Sequence, residues 1–494
     1  KSREPKRIPT RRVYCICSQL TCTMKLSPLV LLAASGAAPA LADEWDTLRA
    51  GLDAWAALSF DANFVVNIGT AEGRLLAYSP DGFSMDEHML GASVSKWGTG
   101  IVISGLVAEG TLAYDDLANK YLDWWATEPT DPRSNVTIAD LLSFTGGFNT
   151  DTSQAYDCGD ITDYMTCAQA SYNASTGYVH PRTGWAYSAC QIQFAGAIAQ
   201  AATNKPVQTL LQEYLYTPYN MKNTFYGPLD NPSLAVGINT TGTDIEQFLA
   251  GMLAYKGAPK AVLDVAEQDW TQGLHPEGDD WFGHYSLGHY WECLGWGIPG
   301  GTSGPVSQDC IELNIQAGPG ELGMYPLLDR SGGGDQAGPI RPAHYFSLVI
   351  AEPDALSGVP EYLRIIAKPV SDLILNGTDP TTVPNEQILA AGGGLLRRDI
   401  EYIATELLTC TCSEVPTTAG EPFNSLLKNL PADQPKVNRR DLLKQGAGIS
   451  LLDVIDIQKT LGNCTCKGRE QAMKQQAEKP DDALPRFRFR HPKL

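Results

Sequence analysis

The sequence predicts an α+β fold in which helices cover both faces of one antiparallel sheet. Strand-type segments open and close residues 43–378, and helical segments fill the middle of that stretch. The chain has 494 residues, of which 43% are hydrophobic. That content is enough for a sizeable core and too high for a wholly disordered chain.

The opening strands form a predicted β-hairpin. Residues 64–68 and 74–78 are apolar runs separated by a glycine-bounded turn, which is the pattern of two paired strands. A long helix is expected to follow over residues 93–109, because apolar residues recur at helical spacing and Gly110 ends the run.

Shorter helices are predicted in the middle of the domain. Thr137 is a suitable N-cap for a helix that begins with residues 138–142, and residues 191–202 and 207–216 also have helical patterns. Residues 268–300 are rich in glycine and aromatic side chains and are predicted to be loop-like. Their large aromatics are Trp270, Trp281, Phe282, Trp291 and Trp296.

Strand patterns return at residues 311–315, 322–328 and 345–351, and a helix over about 360–375 closes the domain. The domain is therefore predicted to span residues 43–378.

A C-terminal extension, residues 379–466, contains an internal repeat. Residues 392–412 and 446–466 match at an offset of 54, and both end in Cys-Thr-Cys. We expect a small helical unit stapled by disulfides, because so small a core needs cross-links. The glycine loops lack alternating acids, which argues against calcium binding. Residues 467–494 are polar and are predicted to be a disordered tail.

The first 42 residues are predicted to be absent from the mature fold. Residues 24–42 have a basic start, a short apolar run and an Ala-Leu-Ala cleavage site, which is the pattern of a secretory signal peptide. The apolar run is too short to span a bilayer. Residues 1–23 are interpreted as a non-mature leader or a translation-start artefact. The protein is thus expected to be secreted.

Charge and cysteine content fit an extracellular protein. The net charge is −19, and removing residues 1–42, with seven basic residues and one acidic residue, leaves −25. This balance disfavours nucleic acid or an anionic membrane surface as a partner. Five Asn-x-Ser/Thr sites suggest a glycoprotein; they are Asn135, Asn173, Asn239, Asn376 and Asn463.

Nine cysteines remain after residue 42, so disulfides are expected in an oxidising compartment. Nearest-neighbour pairing suggests Cys158–Cys167 and Cys293–Cys310, with the last four cysteines cross-linked together. Connectivity cannot be read from sequence. The odd number leaves Cys190 as the expected free thiol.

Ser93 and Lys96 form the sharpest chemical feature. Three residues apart at the start of a helix, they lie on one face, where an amine can take the proton of a hydroxyl. The four-letter pattern alone is weak, because residues 425–428 also match it and are expected to be a solvated helix face.

The neighbouring sequence distinguishes the match at residues 93–96 from the one at residues 425–428. Residues 91–122, followed by TIADLLSFTGGF at 137–148, closely resemble the nucleophile region of serine β-lactamase-related proteins: class C-like β-lactamases, DD-peptidases and family VIII esterases. The resemblance covers about residues 45–378 and implies a β-lactamase/DD-peptidase-like fold with a helical subdomain. It implies that Ser93 is the acylated nucleophile and Lys96 its proton acceptor.

The same resemblance places the family's second motif, Tyr-x-Asn, at residues 187–189. Tyr187 would be the phenolic general base or proton relay. Ala189 stands where the family has asparagine, so a side-chain amide that normally contacts the substrate or the lysine is missing.

The family's third motif aligns with Gly318-Pro319-Gly320. Gly320 fits, and the Glu321 N–H could complete an oxyanion hole with the Ser93 N–H. Gly318 stands where relatives have a cation or a ring, and residues 313–321 contain no Lys, Arg or His. A β-lactam carboxylate would lack its usual anchor, so the resemblance favours an esterase over a β-lactamase.

Two functions stay open on the sequence. The first is a secreted serine hydrolase that forms an acyl-enzyme on a neutral ester or amide, without a cofactor. The second is an inactive protein of the same fold that serves as a binding or scaffolding module. His284 and His289 lack a third ligand, so packing is favoured over zinc and no metal is expected. The sequence does not give the oligomeric state.

Overall fold

The structure is a computed structural model, and its order of strands and helices follows the predicted one. It describes residues 43–58, 64–80, 83–148, 161–176, 178–271, 274, 284–291, 315–318, 323–330, 342–350, 359–406, 410–412, 427–433, 439–461 and 464–466. The predicted leader, signal peptide and tail lie outside these residues. From residue 44 onward the described residues form one compact unit.

Seven of the described strands form one antiparallel sheet in the order β2-β1-β10-β9-β8-β7-β6. The sheet joins the start of the domain to its end, because β1 pairs with β10. The seven strands are β1 (Phe64–Thr70), β2 (Gly73–Tyr78), β6 (His284–Tyr285), β7 (Tyr290–Trp291), β8 (Ile315–Ala317), β9 (Met324–Asp329) and β10 (His344–Ile350). A smaller sheet contains β3 (Met89–Ala92), β4 (Phe225–Tyr226) and β5 (Ile238–Thr240).

Helices cover both faces of the main sheet, as predicted. The described helices of the domain are α1 (Asp46–Leu58), α2 (Val94–Ala108), α3 (Ile138–Leu142), α4 (Tyr164–Ala174), α5 (Ala189–Thr203), α6 (Val207–Leu211), α7 (Thr217–Tyr219), α8 (Gly242–Leu253), α9 (Lys260–Ala266) and α10 (Val359–Leu375). One hydrophobic cluster joins α2, α5 and α8 to one face, and a second joins α1 and α10 to the other. Helix α2 is buried along most of its length, which fits its apolar sequence.

Most local predictions are confirmed. Thr137 caps α3 in a capping box with Asp140, since each side chain accepts a hydrogen bond from the other residue's backbone N–H. The helix predicted over 207–216 is α6 followed by a π-helical turn at Gln212–Tyr216. Within the predicted loop 268–300, residues 284–291 form the β6–β7 hairpin. No helix in the described ranges is long and apolar enough to cross a membrane.

The extension is a pair of matching units. Its elements are α11 (Asn385–Ala390), β11 (Leu395–Leu396), α12 (Arg397–Glu406), β12 (Cys410–Cys412), α13 (Arg439–Lys444), β13 (Gly448–Ile449), α14 (Leu451–Leu461) and β14 (Cys464–Cys466). Strand β11 pairs with β13, and β12 pairs with β14. Leu395 faces Ile449 and Thr411 faces Thr465, each its own equivalent 54 residues later. The two repeats are therefore related by an approximate two-fold axis.

The extension packs on the face of the domain that carries α1. A side chain at Gly51 of α1 would collide with Leu451, the first residue of α14. Leu395, Ile400 and Ile449 belong to the same hydrophobic cluster as α1 and α10. The disulfides predicted for the extension stay a prediction.

Candidate active site

Ser93 lies between β3 and α2, at the start of the most buried helix. It is the N-cap residue of α2, and its side chain is half-buried. The preceding Ala92 has φ +42°, a left-handed conformation that is unfavourable for a residue with a Cβ. Such strain persists only where the surroundings hold it, and β3 pairs Ala92 with Ile238. Ser93 is thus presented on a sharp strand-to-helix turn, next to the N–H groups of the first helical turn.

Lys96 is one helical turn further along α2 and contacts only neutral groups among its described partners. Its Nζ lies 3.0 Å from Ser93 Oγ and donates a hydrogen bond of 2.8 Å to the carbonyl of Ala235. The same Nζ lies 4.6 Å from the centre of the Tyr187 ring. Lys96 is 1% exposed. Its amine is therefore shielded from solvent and directed at the serine hydroxyl.

The carbonyl of Ala235 belongs to a segment, residues 234–238, that α2 holds at both ends. Thr99 Oγ1 donates to the Leu234 carbonyl at 3.0 Å, and Ser95 Oγ accepts from the Ile238 N–H at 2.9 Å. One turn of α2 therefore carries the lysine together with two side chains that fix its acceptor.

The ring of Tyr187 lies against the Lys96 amine. This half-buried ring packs among four other aromatic rings, at centre-to-centre distances of 4.6 to 6.2 Å; these are Phe144, Trp185, Tyr285 and Tyr290. Burial raises the pKa of Tyr285 well above its usual value, so that phenol stays neutral. Among the clustered phenols, Tyr187 is the one whose ring faces the lysine amine.

The segment before Tyr187 is fixed by backbone hydrogen bonds to residues 144–147. The N–H groups of Val179, Arg182 and Ala186 donate to the carbonyls of Gly147, Thr145 and Phe144 at 2.7 to 3.1 Å. Gln191 ties the two segments together, because it accepts from the Gly146 N–H and donates to the Ala186 carbonyl. The position of Tyr187 is thus set by the backbone and by a buried amide.

The third-motif strand lies beside the serine helix. Gly318, directly after β8, packs on Trp97, and a Cβ at Gly318 would lie 2.6 Å from Trp97 Cε3. Close packing therefore accounts for this glycine. Gly320 and Glu321 lie outside the described residues, so the oxyanion role stays a prediction.

The two histidines of the sequence analysis are packed or paired. His289 stacks on Trp97 with ring centres 4.7 Å apart, and burial lowers its pKa to about 3. His284 is hydrogen-bonded to Asp269. Trp270 and Trp291 both donate their ring N–H to backbone carbonyls, of Val265 and Glu267, and so anchor their segments.

A second polar cluster lies on the opposite face of the sheet. Asp329, His344 and Asp372 are close enough together to offer three metal ligands. However, Lys368 Nζ lies 2.8 Å from Asp329 Oδ2 and 2.7 Å from Asp372 Oδ1. The ammonium group of Lys368 is already the cationic partner of both carboxylates, so the cluster is an ionic network within the core.

Two cysteines of the domain can be assigned. Cys190 is buried outside any disulfide, and its Sγ is 2.9 Å from Ser188 Oγ. Cys167 is disulfide-bonded. Its predicted partner, Cys158, lies outside the described residues, so that pairing stays a prediction.

The structure brings Ser93, Lys96 and Tyr187 together, as the motif alignment predicts. Sequence reasoning missed the polar groups that hold Lys96 in place: the Ala235 carbonyl and the side chains of Ser95 and Thr99. The available signal was a set of hydroxyl residues inside an apolar helix, since buried polar groups require partners. A backbone acceptor such as the Ala235 carbonyl cannot be predicted from the residue type, because every residue has a carbonyl group.

Comparison with known proteins shows what part of this chain is similar to. Residues 70–261 match the family model described as Beta-lactamase. The solved structure titled as a "putative beta-lactamase" from Bacteroides dorei DSM 17855 is 19% identical with a TM-score of 0.53, covering 67% of this chain and 99% of that one. At that identity the likeness shows the fold alone.

Curated relatives match over a shorter stretch. A "Putative D-alanyl-D-alanine carboxypeptidase" of Escherichia coli O157:H7 is 24% identical over 153 residues, covering 28% of this chain and 34% of the relative. An N-acetylmuramyl-L-alanine amidase of Bacillus subtilis (strain 168) is 22% identical over 153 residues, covering 28% of this chain and 33% of the relative. The chain spans about a third of the length of these curated relatives.

Proposed function

We propose that this chain, whose residues 70–261 carry a domain of the serine β-lactamase-related family, is a serine hydrolase that forms an acyl-enzyme on a neutral ester or amide. The observation that carries the proposal is the contact of 3.0 Å between Lys96 Nζ and Ser93 Oγ. The lysine is buried, and its described contacts are a hydroxyl, a carbonyl and an aromatic ring. A nucleophile beside an amine held in this way is the arrangement that acyl transfer needs.

In the proposed reaction, Lys96 takes the proton of the Ser93 hydroxyl as Oγ attacks the carbonyl carbon of the substrate. The negative charge that develops on the carbonyl oxygen lies near the N–H groups at the start of α2. The leaving alcohol or amine departs with a proton, passed from Lys96 through the Tyr187 hydroxyl. Water then attacks the acyl carbon and gives up a proton to the same groups. They return a proton to Ser93 Oγ as its bond to the acyl carbon breaks, and the carboxylic acid is released.

We propose that the part of the substrate that binds next to the third-motif strand is uncharged. Gly318 offers neither a cation nor a hydrogen-bonding ring, and its Cα packs on Trp97. A substrate carboxylate would find no counter-charge from this residue, while the attack on an uncharged ester needs none. We therefore place esters ahead of β-lactams.

Labelling with a fluorophosphonate probe, followed by peptide mass mapping, tests the proposal. We expect label on Ser93 in the wild-type protein, no label on Ser93→Ala, and turnover of a short-chain p-nitrophenyl ester that Lys96→Ala abolishes. Ser425→Ala is the matched control, because Ser425 has the same four-letter pattern in the extension. Folded protein without label at Ser93 would instead support the inactive binding module, and wild-type turnover by Lys96→Ala would contradict the role of the lysine.

The protein is further proposed to be a secreted glycoprotein with disulfides. Support comes from the signal pattern of residues 24–42 and from the exposure of Asn135 and Asn173. Expression in a secreting eukaryotic host tests this. We expect product in the medium, beginning near Asp43, whose mass falls after treatment with an N-glycosidase. Retention in cells with an intact residue 24–42 segment would argue against secretion.

A further inference from the structure

We infer that Gln193 is a positioning residue for the reaction, acting through the loop that holds Lys96. This inference rests on the proposed function. Gln193 is a buried residue of α5, the helix that follows Tyr187. It lies one turn beyond Ala189, the position where the family's amide is missing, and residues four apart share a helix face. An amide is therefore present on the same face, shifted by one turn.

The Gln193 amide reaches the lysine through two backbone groups. Its Oε1 accepts a hydrogen bond of 2.8 Å from the N–H of Leu234. The next residue, Ala235, supplies the carbonyl that Lys96 Nζ contacts at 2.8 Å. The order of contacts is Gln193, the 234–235 backbone, Lys96 and Ser93.

Leu234 is fixed from two helices at once. Gln193 of α5 holds its N–H, and Thr99 of α2 holds its carbonyl at 3.0 Å. With both backbone groups of Leu234 fixed, the following carbonyl has little freedom to move. Tyr164 braces the same place, since its hydroxyl donates to the Gln193 carbonyl at 2.9 Å.

The packing around this contact is close on the side of α5. At Gly196, on the next turn of α5, a Cβ would lie 2.3 Å from both Leu234 Cδ1 and the Tyr164 hydroxyl. The helix therefore approaches the 234–235 segment as closely as a glycine allows. A loop held this tightly transmits a lost hydrogen bond as a displacement of the Ala235 carbonyl.

The test compares Gln193→Met with Gln200→Met by steady-state hydrolysis of p-nitrophenyl acetate. Gln200 is a matched control, because it lies on the same helix and also accepts from a backbone N–H, that of Val207. We expect Gln193→Met to lower kcat on the order of 10- to 100-fold with little change in KM, since misplacing a catalytic group by about 1 Å has such an effect. The control should keep the wild-type kcat, with a smaller loss of thermal stability because Gln200 is only partly buried.

Thr99→Val is the second variant, because it frees the other side of Leu234 with almost no change in volume. A lowered kcat in Gln193→Met and Thr99→Val, but not in Gln200→Met, supports the inference. A folded Gln193→Met with wild-type kcat overturns it, as does an equal loss in the control. If Gln193→Met does not fold, wild-type kcat in Thr99→Val overturns it instead. A wild-type protein that neither hydrolyses the ester nor labels at Ser93 overturns the proposed function, and this inference with it.

Discussion

Among the described residues two lysines are fully buried, and they lie on opposite faces of the main sheet. Lys96 contacts a hydroxyl, a carbonyl and an aromatic ring, whereas Lys368 contacts the carboxylates of Asp329 and Asp372. In a dry interior, two carboxylates around one lysine depend on its ammonium group for charge compensation. The described groups around Lys96 carry no charge that needs such compensation. The partners, rather than the burial, separate the lysine suited to proton transfer from the one that holds the core together.

The largest effect is expected from Lys96→Met. The substitution removes the amine that contacts Ser93 Oγ, so kcat should fall by about 10²- to 10⁴-fold. The free energy of unfolding should change by only about 1 kcal/mol, because the groups left behind are neutral. Ester hydrolysis and urea unfolding measure the two quantities. If Lys96→Met lost as much free energy of unfolding as Lys368→Met, the proposed difference between the two lysines would be wrong.

Lys368→Met should show the opposite profile. It leaves two buried carboxylates next to each other without their counter-ion, which costs about 3–5 kcal/mol of stability. The kcat per folded molecule should stay near the wild-type value, since the substitution lies on the other face of the sheet. Lys260→Met is the control, because Lys260 forms an exposed pair with Asp264 that should contribute less than about 1 kcal/mol. Similar unfolding midpoints for the two variants would contradict the prediction.

A buried histidine gives a smaller effect, on the pH dependence of the free energy of unfolding. His289 is buried against Trp97, and burial lowers its pKa to about 3, while an unfolded histidine titrates near 6.5. Below pH 6.5 the unfolded chain therefore binds a proton at this histidine, whereas the folded protein does not. The resulting loss of stability grows as the pH falls toward 3, by up to about 1.4 kcal/mol per pH unit.

Replacing His289 with Gln should remove one proton from this pH dependence. Urea unfolding at a series of pH values between 7 and 4 measures the slope, and the slope of the variant should be smaller by about one proton. His180→Gln, at an exposed position, is the control and should leave the slope unchanged. An unaltered slope in the His289 variant would show that another group carries the acid sensitivity.

The sequence predicted much of the fold and three residues that the structure brings together, Ser93, Lys96 and Tyr187. The hairpin, the serine helix, the Thr137 cap and the closing helix were visible because each depends on local periodicity or capping. Ser93, Lys96 and Tyr187 could be placed because each stands in a motif. The β6–β7 hairpin was missed, since two-residue strands give no periodic signal.

The long-range supports of the site could not be predicted in the same way. The acceptor for Lys96 is a main-chain carbonyl 139 residues away, and any side chain at position 235 would provide one. Gln193 stands in the predicted helix 191–202, but its partner at Leu234 depends on how α5 approaches a loop. Such contacts follow from tertiary packing, which local patterns do not encode.

The pairing of β1 with β10, and of α1 with α14, has a consequence for synthesis on the ribosome. The first strand and helix of the domain emerge early, yet their partners near residues 344–350 and 451–461 emerge hundreds of residues later. Until then the apolar faces of α1 and β1 lack part of their native cover. A nascent chain of this protein therefore completes the cover of α1 only when its C-terminal extension has emerged, and premature termination before residue 451 would expose the part of α1 that contacts α14.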